Sequence, residues 1–358
     1  MANPRIVVFE DLDKNFEQLK GPLAARLEGV AEIVRYEGER EVKDGNWAAA
    51  EGWVREFLMV PAPATLAIVD SDLTAFSHPA PQQFIRAIAD EQAIPTVHYQ
   101  SKVESDHKIK RLRRWQEKGI GIEPGTDHAT IAVICADAAL GFHRIAEKVA
   151  GSGETPRLLD TLRNLLQPPS DAPLHLEQFA IGSQELLGVI DARGKGDALR
   201  FVATWMGYLI FNRILAFPGP ILNKVATAAY LSIAPVELES PDIQEALLPA
   251  RYAGPFNGSG AWWRSALDTI IAASLDKEAR TVPTGHVVLE KLLTRKIKAS
   301  RCHDGEELDE EAYLCILTND VVCSRHSDTP EAWIPQGADR CRIHTDDFEA
   351  LKGWLGML

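Results

Sequence analysis

Three acidic side chains stand where two short apolar runs end: Glu10 and Asp11 follow Pro4 to Phe9 (PRIVVF), and Asp70 follows Thr65 to Val69 (TLAIV). Carboxylates gathered at strand tips repel one another. A hard divalent cation held by oxygen ligands relieves that repulsion, so Mg²⁺ is the cofactor such a pocket would take. A second set lies near the other end, Cys323-x-x-His326 and Cys341-x-x-His344, with Cys302-His303 upstream. Four N/S donors in two close pairs match a structural zinc set. The spacers Ser324-Arg325 and Arg342-Ile343 lack the turn-formers of zinc knuckles, so buried strand thiols and loop imidazoles without metal are the favoured reading. No Ser-His-Asp arrangement, phosphate-cradling glycine loop or HExxH stands in the sequence. With no complete catalytic set, the chain reads more as a binding protein than as an enzyme.

Strands and helices must alternate to position the acids. Pro4 to Phe9, Ala31 to Tyr36, Thr65 to Val69, Ile94 to Tyr99 and Gly119 to Ile122 read as five strands. Between and after them, Lys14 to Glu28, Asn46 to Leu58, Pro81 to Glu91 and Thr126 to Ala150 show helical spacing, and a basic helix falls within Lys102 to Lys118. This alternation predicts an α/β fold, a doubly wound five-stranded parallel sheet over residues 1–150. Functional groups in such a sheet gather outside the carboxyl ends of the strands, where the three acids stand. After a linker at Gly151 to Pro156, residues 155–280 read as a mainly helical domain and 281–358 as a small α+β domain, with a strand over Ala312 to Cys323.

The segments FED after the first strand, IVDSDL at the third and IPTVHYQS at the fourth resemble the receiver domain of two-component response regulators, a flavodoxin-like fold. The resemblance covers about the first third of the chain. It implies that Glu10 and Asp11 hold Mg²⁺ and that Asp70 is the phospho-acceptor. It also implies a histidine kinase or related ATPase as partner. Two positions depart from the family: Gln100 stands at its Thr or Ser, and Glu123-Pro124 at its Lys-Pro. A carboxylate in place of that Lys repels phosphoryl oxygens, so the phosphorylation chemistry is incomplete.

With 38 basic and 51 acidic residues, the net charge is −13, which disfavours broad nucleic-acid binding. The exception is Lys102 to Lys118, where Lys108, Lys110, Arg111, Arg113 and Arg114 form a candidate docking face for an acidic partner or a nucleic acid. A solvated helix face is the plainer account of them. Phe201 to Pro235 is apolar but interrupted by Asn212, Arg213, Pro218 and Lys224, which predicts buried helices and no membrane span. With no signal sequence and five cysteines, a cytoplasmic location is expected. Asn223 to Leu238 has the outline of a helix-turn-helix, yet Glu237, Glu239, Asp242 and Glu245 would repel phosphate, so helical packing is preferred. Trp262-Trp263 anchors either a core or an interface, and is a candidate apolar anchor for a partner in the second case. The expectation is a cytoplasmic regulatory or partner-binding protein, in a bacterial signalling or conflict setting. The alternatives are an active phospho-receiver with an unusual output domain, and a metal-dependent hydrolase or nuclease using the C-terminal Cys, His and Asp residues.

Overall fold

Apolar runs without polar alternation belong in the middle of a parallel sheet that is covered on both faces. In the computed structural model of the chain, β1 (Arg5–Phe9) and β3 (Leu66–Asp70) take that place and are buried throughout. The structure describes residues 3–38, 46–78, 80–100, 117–151, 158–169, 195–274, 284–303, 305–308, 312–329 and 333–355. With β2 (Glu32–Arg35), β4 (Thr96–Tyr99) and β5 (Ile120–Gly121), these strands form an all-parallel sheet of order β2-β1-β3-β4-β5. Helix α1 (Asp13–Leu27) buries Phe16, Leu19, Leu23 and Leu27, the stripe expected from the sequence. Val7, Phe9, Ala67 and Val69 pack with α2 (Trp47–Met59) and α3 (Pro81–Glu91). The alternate residues Ile6, Val8, Leu66 and Ile68 point the other way and are equally buried. The expected α/β sheet is therefore present, and the Arg5 guanidinium fastens it to the end of α2. It donates to the carbonyls of Phe57 at 2.8 Å and Ala62 at 3.1 Å.

Helix α4 (His128–Gly151) is long and apolar enough to cross a membrane by length and composition. Half of its apolar stretch is buried inside the structure, where it packs on α1 and on α6 (Lys195–Tyr208). Between the last two lies α5 (Leu158–Leu166). Tyr208 ties α6 to the sheet, its hydroxyl accepting the Thr96 N–H at 2.8 Å.

The chain divides into two units, and the division differs from the three expected segments. Described residues 3–165 and 195–211 belong to the first; 166–169 and 212–355 belong to the second. Of the expected linker, Gly151 to Pro156, Gly151 is the last residue of α4 and the rest lies outside the described residues; the helices after it extend the first unit. In the second unit, α7 (Lys224–Leu231) is capped by Asn223, whose side chain accepts the Ala226 N–H at 3.0 Å. This helix packs on β8 (Ala312–Cys315) and β9 (Val321–Cys323). With β10 (Ser327–Asp328) and β11 (Cys341–His344) these form a sheet of order β10-β11-β8-β9. Leu222, Ala226, Leu267, Leu289 and Leu314 share one core, which draws on both the helical and the α+β segments. A hairpin replaces the single strand expected over Ala312 to Cys323, because Asn319 adopts a positive φ of 60° and turns the chain. No second long helix follows α7 as a helix-turn-helix would need; a 3₁₀ turn at Pro235–Glu239 and the six-residue α8 (Pro241–Ala246) stand there.

The tryptophan pair goes to the core, one of the two places the sequence left open. Trp262 and Trp263 lie in β7 (Ala261–Trp263), antiparallel to β6 (Ile221–Asn223), and are only 2% and 3% exposed. Large rings in a short apolar strand fill the core and leave little surface for a partner. Trp263→Ala should therefore destabilise the second unit by about 3–5 kcal/mol in urea titrations. An exposed anchor would stay within about 0.5 kcal/mol.

Candidate functional site

Strand register builds the acidic site. Phe9 pairs with Val69, so Glu10 comes level with Asp70, and Asp70 itself pairs with Tyr99. Asp11 follows by one residue. Carboxylate oxygens from Glu10, Asp11 and Asp70 all lie within 4.8 Å of one another. The place is the carboxyl edge of the sheet between β1 and β3, where the strand order reverses and doubly wound sheets bind their ligands.

Each acid is held differently. Glu10 accepts the Tyr99 hydroxyl on Oε2 at 2.6 Å, and the Leu12 N–H at 2.9 Å and the Asn15 amide at 3.4 Å on Oε1. Asp11 accepts the Ala75 N–H at 2.7 Å and the Thr74 hydroxyl at 3.2 Å, both on Oδ2. Its Oδ1 is buried without a hydrogen-bond partner among the described residues. Asp70 accepts the Asp72 N–H at 3.2 Å, and it and Glu10 are each 1% exposed. Burial first, and then the charge of Glu10, push the Asp70 carboxyl up to about 7. The Tyr99 hydroxyl is pushed up by the same two causes and stays protonated. No described Lys or Arg pairs with the three carboxylates.

These donors fit a hard cation. Oxygen ligands converge, one of them is a buried carboxylate oxygen with no partner among the described residues, and no described cation matches their charge. Glu10, Asp11 and Asp70 would hold Mg²⁺, and the ion would supply positive charge to the three carboxylates. Gln100 and Glu123, the two departures noted in the sequence, are half-buried. The Glu123 carbonyl accepts the Thr126 hydroxyl at 2.6 Å, which turns the chain after β5.

The sequence reading assembled Glu10, Asp11 and Asp70 and missed Tyr99, whose register beside Asp70 was implicit in the strand assignments. The basic candidates Lys108, Lys110, Arg111, Arg113 and Arg114 lie outside the described residues. Of the Cys/His set, Cys323 and His326 come together, but their companion is Cys302. Cys341 Sγ turns instead toward the Pro218 carbonyl at 3.6 Å, and the His344 ring lies 4.9 Å from that of His303. Cys341 pairs with Leu314 of β8, while Cys323 pairs with Ala312 on the opposite edge of that strand, so the sheet itself keeps them apart. No family model, curated protein or solved structure matches this chain.

The raised Asp70 value sets a pH dependence. The folded state holds a proton that the unfolded chain releases near 3.8, so this contribution is complete below 3.8 and lost as pH rises through about 7. Without divalent cations, the thermal midpoint should fall between about pH 5 and about pH 8, and Asp70→Asn should flatten that fall. Mg²⁺ should raise the midpoint of the parent protein at the higher pH and leave Asp70→Asn unchanged, as circular dichroism melts would show.

Proposed function

We propose that this chain is a regulatory, partner-binding protein whose first unit is a receiver-like module with incomplete phosphorylation chemistry. One observation carries the reading: Glu10, Asp11 and Asp70 converge at the reversal point of a sheet of order β2-β1-β3-β4-β5. That is where a receiver keeps its metal acids and its phospho-acceptor. Mg²⁺ can enter such a pocket, but a phosphoryl group on Asp70 would add about −1.5 to −2 charge beside Glu10. Glu123 stands where the family's Lys would have met that charge. The pocket is then a sensor of cation and proton, and its output is a contact with another protein.

By the resemblance, that partner is a histidine kinase or related ATPase in a cytoplasmic bacterial signalling or conflict setting. The five cysteines are free thiols, in keeping with a reducing compartment. The basic segment from Lys102 to Lys118 supplies charge to steer an acidic partner. The tryptophan pair takes no part, since it is committed to the core.

The test is incubation with acetyl phosphate and Mg²⁺ followed by intact-mass spectrometry. The expected spectrum is that of unmodified protein. A stoichiometric phosphoryl adduct that disappears in Asp70→Ala would replace this reading with that of an active phospho-receiver.

A further inference from the structure

Cys302 and the Cys323–His326 segment come from two separate places in the chain of the second unit, and the donor atoms of Cys302, Cys323 and His326 meet. Cys302 Sγ and Cys323 Sγ are 3.5 Å apart, and His326 Nδ1 is 3.3 Å from Cys323 Sγ and 3.8 Å from Cys302 Sγ. Neither cysteine is in a disulfide, both are buried, at 3% and 0% exposure, and His326 is half-buried at their margin. We propose that these three side chains form a binding site for one zinc ion, a set different from the two Cys-x-x-His pairs that spacing suggests.

The distances support it. Zn–S bonds of about 2.3 Å and a Zn–N bond of about 2.0–2.1 Å at tetrahedral angles place two sulfurs about 3.8 Å apart, and sulfur and nitrogen about 3.6 Å apart. The two sulfur–nitrogen separations lie on either side of that value and the sulfurs are slightly closer than theirs, so an ion fits with shifts of a few tenths of an ångström.

The scaffold is built for it. The Cys323 N–H donates to Cys302 Sγ at 3.4 Å, the kind of backbone bond that stabilises a ligating thiolate. Cys302 sits on a tight turn: its N–H donates to the Glu306 carbonyl at 2.8 Å, and its carbonyl accepts the Gly305 N–H at 2.8 Å. Gly305 has a φ of +85°, which a side chain would strain. The His303 N–H reaches the Val321 carbonyl at 2.9 Å, which brings this turn alongside β9. The Cys323–His326 segment is closed by the Ser327 hydroxyl donating to the Cys323 carbonyl at 2.6 Å. Glu306 and Arg325, at 3.3 Å, join the two turns at the surface.

Charge and softness point to zinc in particular. Two thiolates neutralise a divalent ion inside an apolar wall of Val225, Ala229, Leu308 and Ala312. Thiolate and imidazole donors prefer zinc to Mg²⁺ or Ca²⁺. Three protein donors leave one tetrahedral position, which water fills. Binding releases the two thiol protons, and the ion clasps the turn before β8 to the turn after β9.

The experiment uses the full chain, purified under reducing conditions, loaded with ZnCl₂ and desalted. Elemental analysis should find about one zinc per chain. X-ray absorption should show two sulfur and two nitrogen or oxygen neighbours. Cys302→Ser, Cys323→Ser and His326→Ala should each lose the ion, while Cys341→Ser and Cys315→Ser keep it. As a check on folding, Cys302→Ala preserves the apolar packing and should lose zinc while retaining the far-ultraviolet circular dichroism of the parent. Metal-free protein after loading would overturn the proposal. So would a Cys302–Cys323 disulfide found by peptide mapping of protein handled without reductant. Zinc that departs with Cys341→Ser but survives Cys302→Ser would instead restore the paired-motif set.

Discussion

An ionised carboxylate taken out of water costs several kcal/mol unless something answers its charge, and the first unit takes two of them, Glu10 and Asp70, to the buried end of one sheet. Neither can move away. Glu10 is held by the Tyr99 hydroxyl and the Leu12 N–H, and Asp70 is the last residue of a strand locked on both edges by β1 and β4. The strain of like charges is thus built into the register of the sheet. Two agents relieve it: a proton, which the raised Asp70 value already expresses, and a divalent cation bridging the same oxygens. A pocket balanced between the two can exchange one for the other, and neither exchange needs a phosphoryl donor.

The rest of the unit can be understood as what keeps those strand tips in place. Ile6, Val8, Leu66 and Ile68 on one face, and Val7, Phe9, Ala67 and Val69 on the other, are all buried, so both central strands are clamped between helices. Burial of that kind has two effects. It supplies the apolar area that stabilises the sheet, and it lowers the local dielectric that makes the acids so sensitive to protonation. The core and the site cannot be tuned separately.

How much of this could be read from residues alone follows from how local each signal is. The five strands of the first unit were legible because each is a short apolar run beside a helix of clear 3.6-residue spacing, and parallel order then places the tips of β1 and β3 side by side. Tyr99 escaped notice because its part depends on pairing with Asp70 across strands. The β8–β9 hairpin was missed although Thr318-Asn319-Asp320 is a turn sequence, since the apolar residues on either side look continuous. The tryptophans announced burial but not where, and pairing with Ile221–Asn223 decided it. Cys302 stood next to His303 in the sequence and was set aside for the tidier Cys-x-x-His pairs. Only the turn through Gly305 and the bond from His303 to Val321 carry its sulfur to Cys323.

The two clusters also differ in a way that separates their responses. Glu10, Asp11 and Asp70 offer only oxygen, which suits small hard ions that keep part of their water. Cys302, Cys323 and His326 offer sulfur and nitrogen, for which Mg²⁺ has little affinity. Zinc in excess can also bind carboxylates, but the thiolate site takes it first, so a single equivalent should leave the acidic pocket open to Mg²⁺. Protons compete with the metal at both sites. Asp70 gains its proton near neutrality and competes with Mg²⁺ there, whereas ligating thiols give theirs up when the metal arrives. A chain with both sites can therefore hold its second unit together with one ion while the first unit remains free to respond to another.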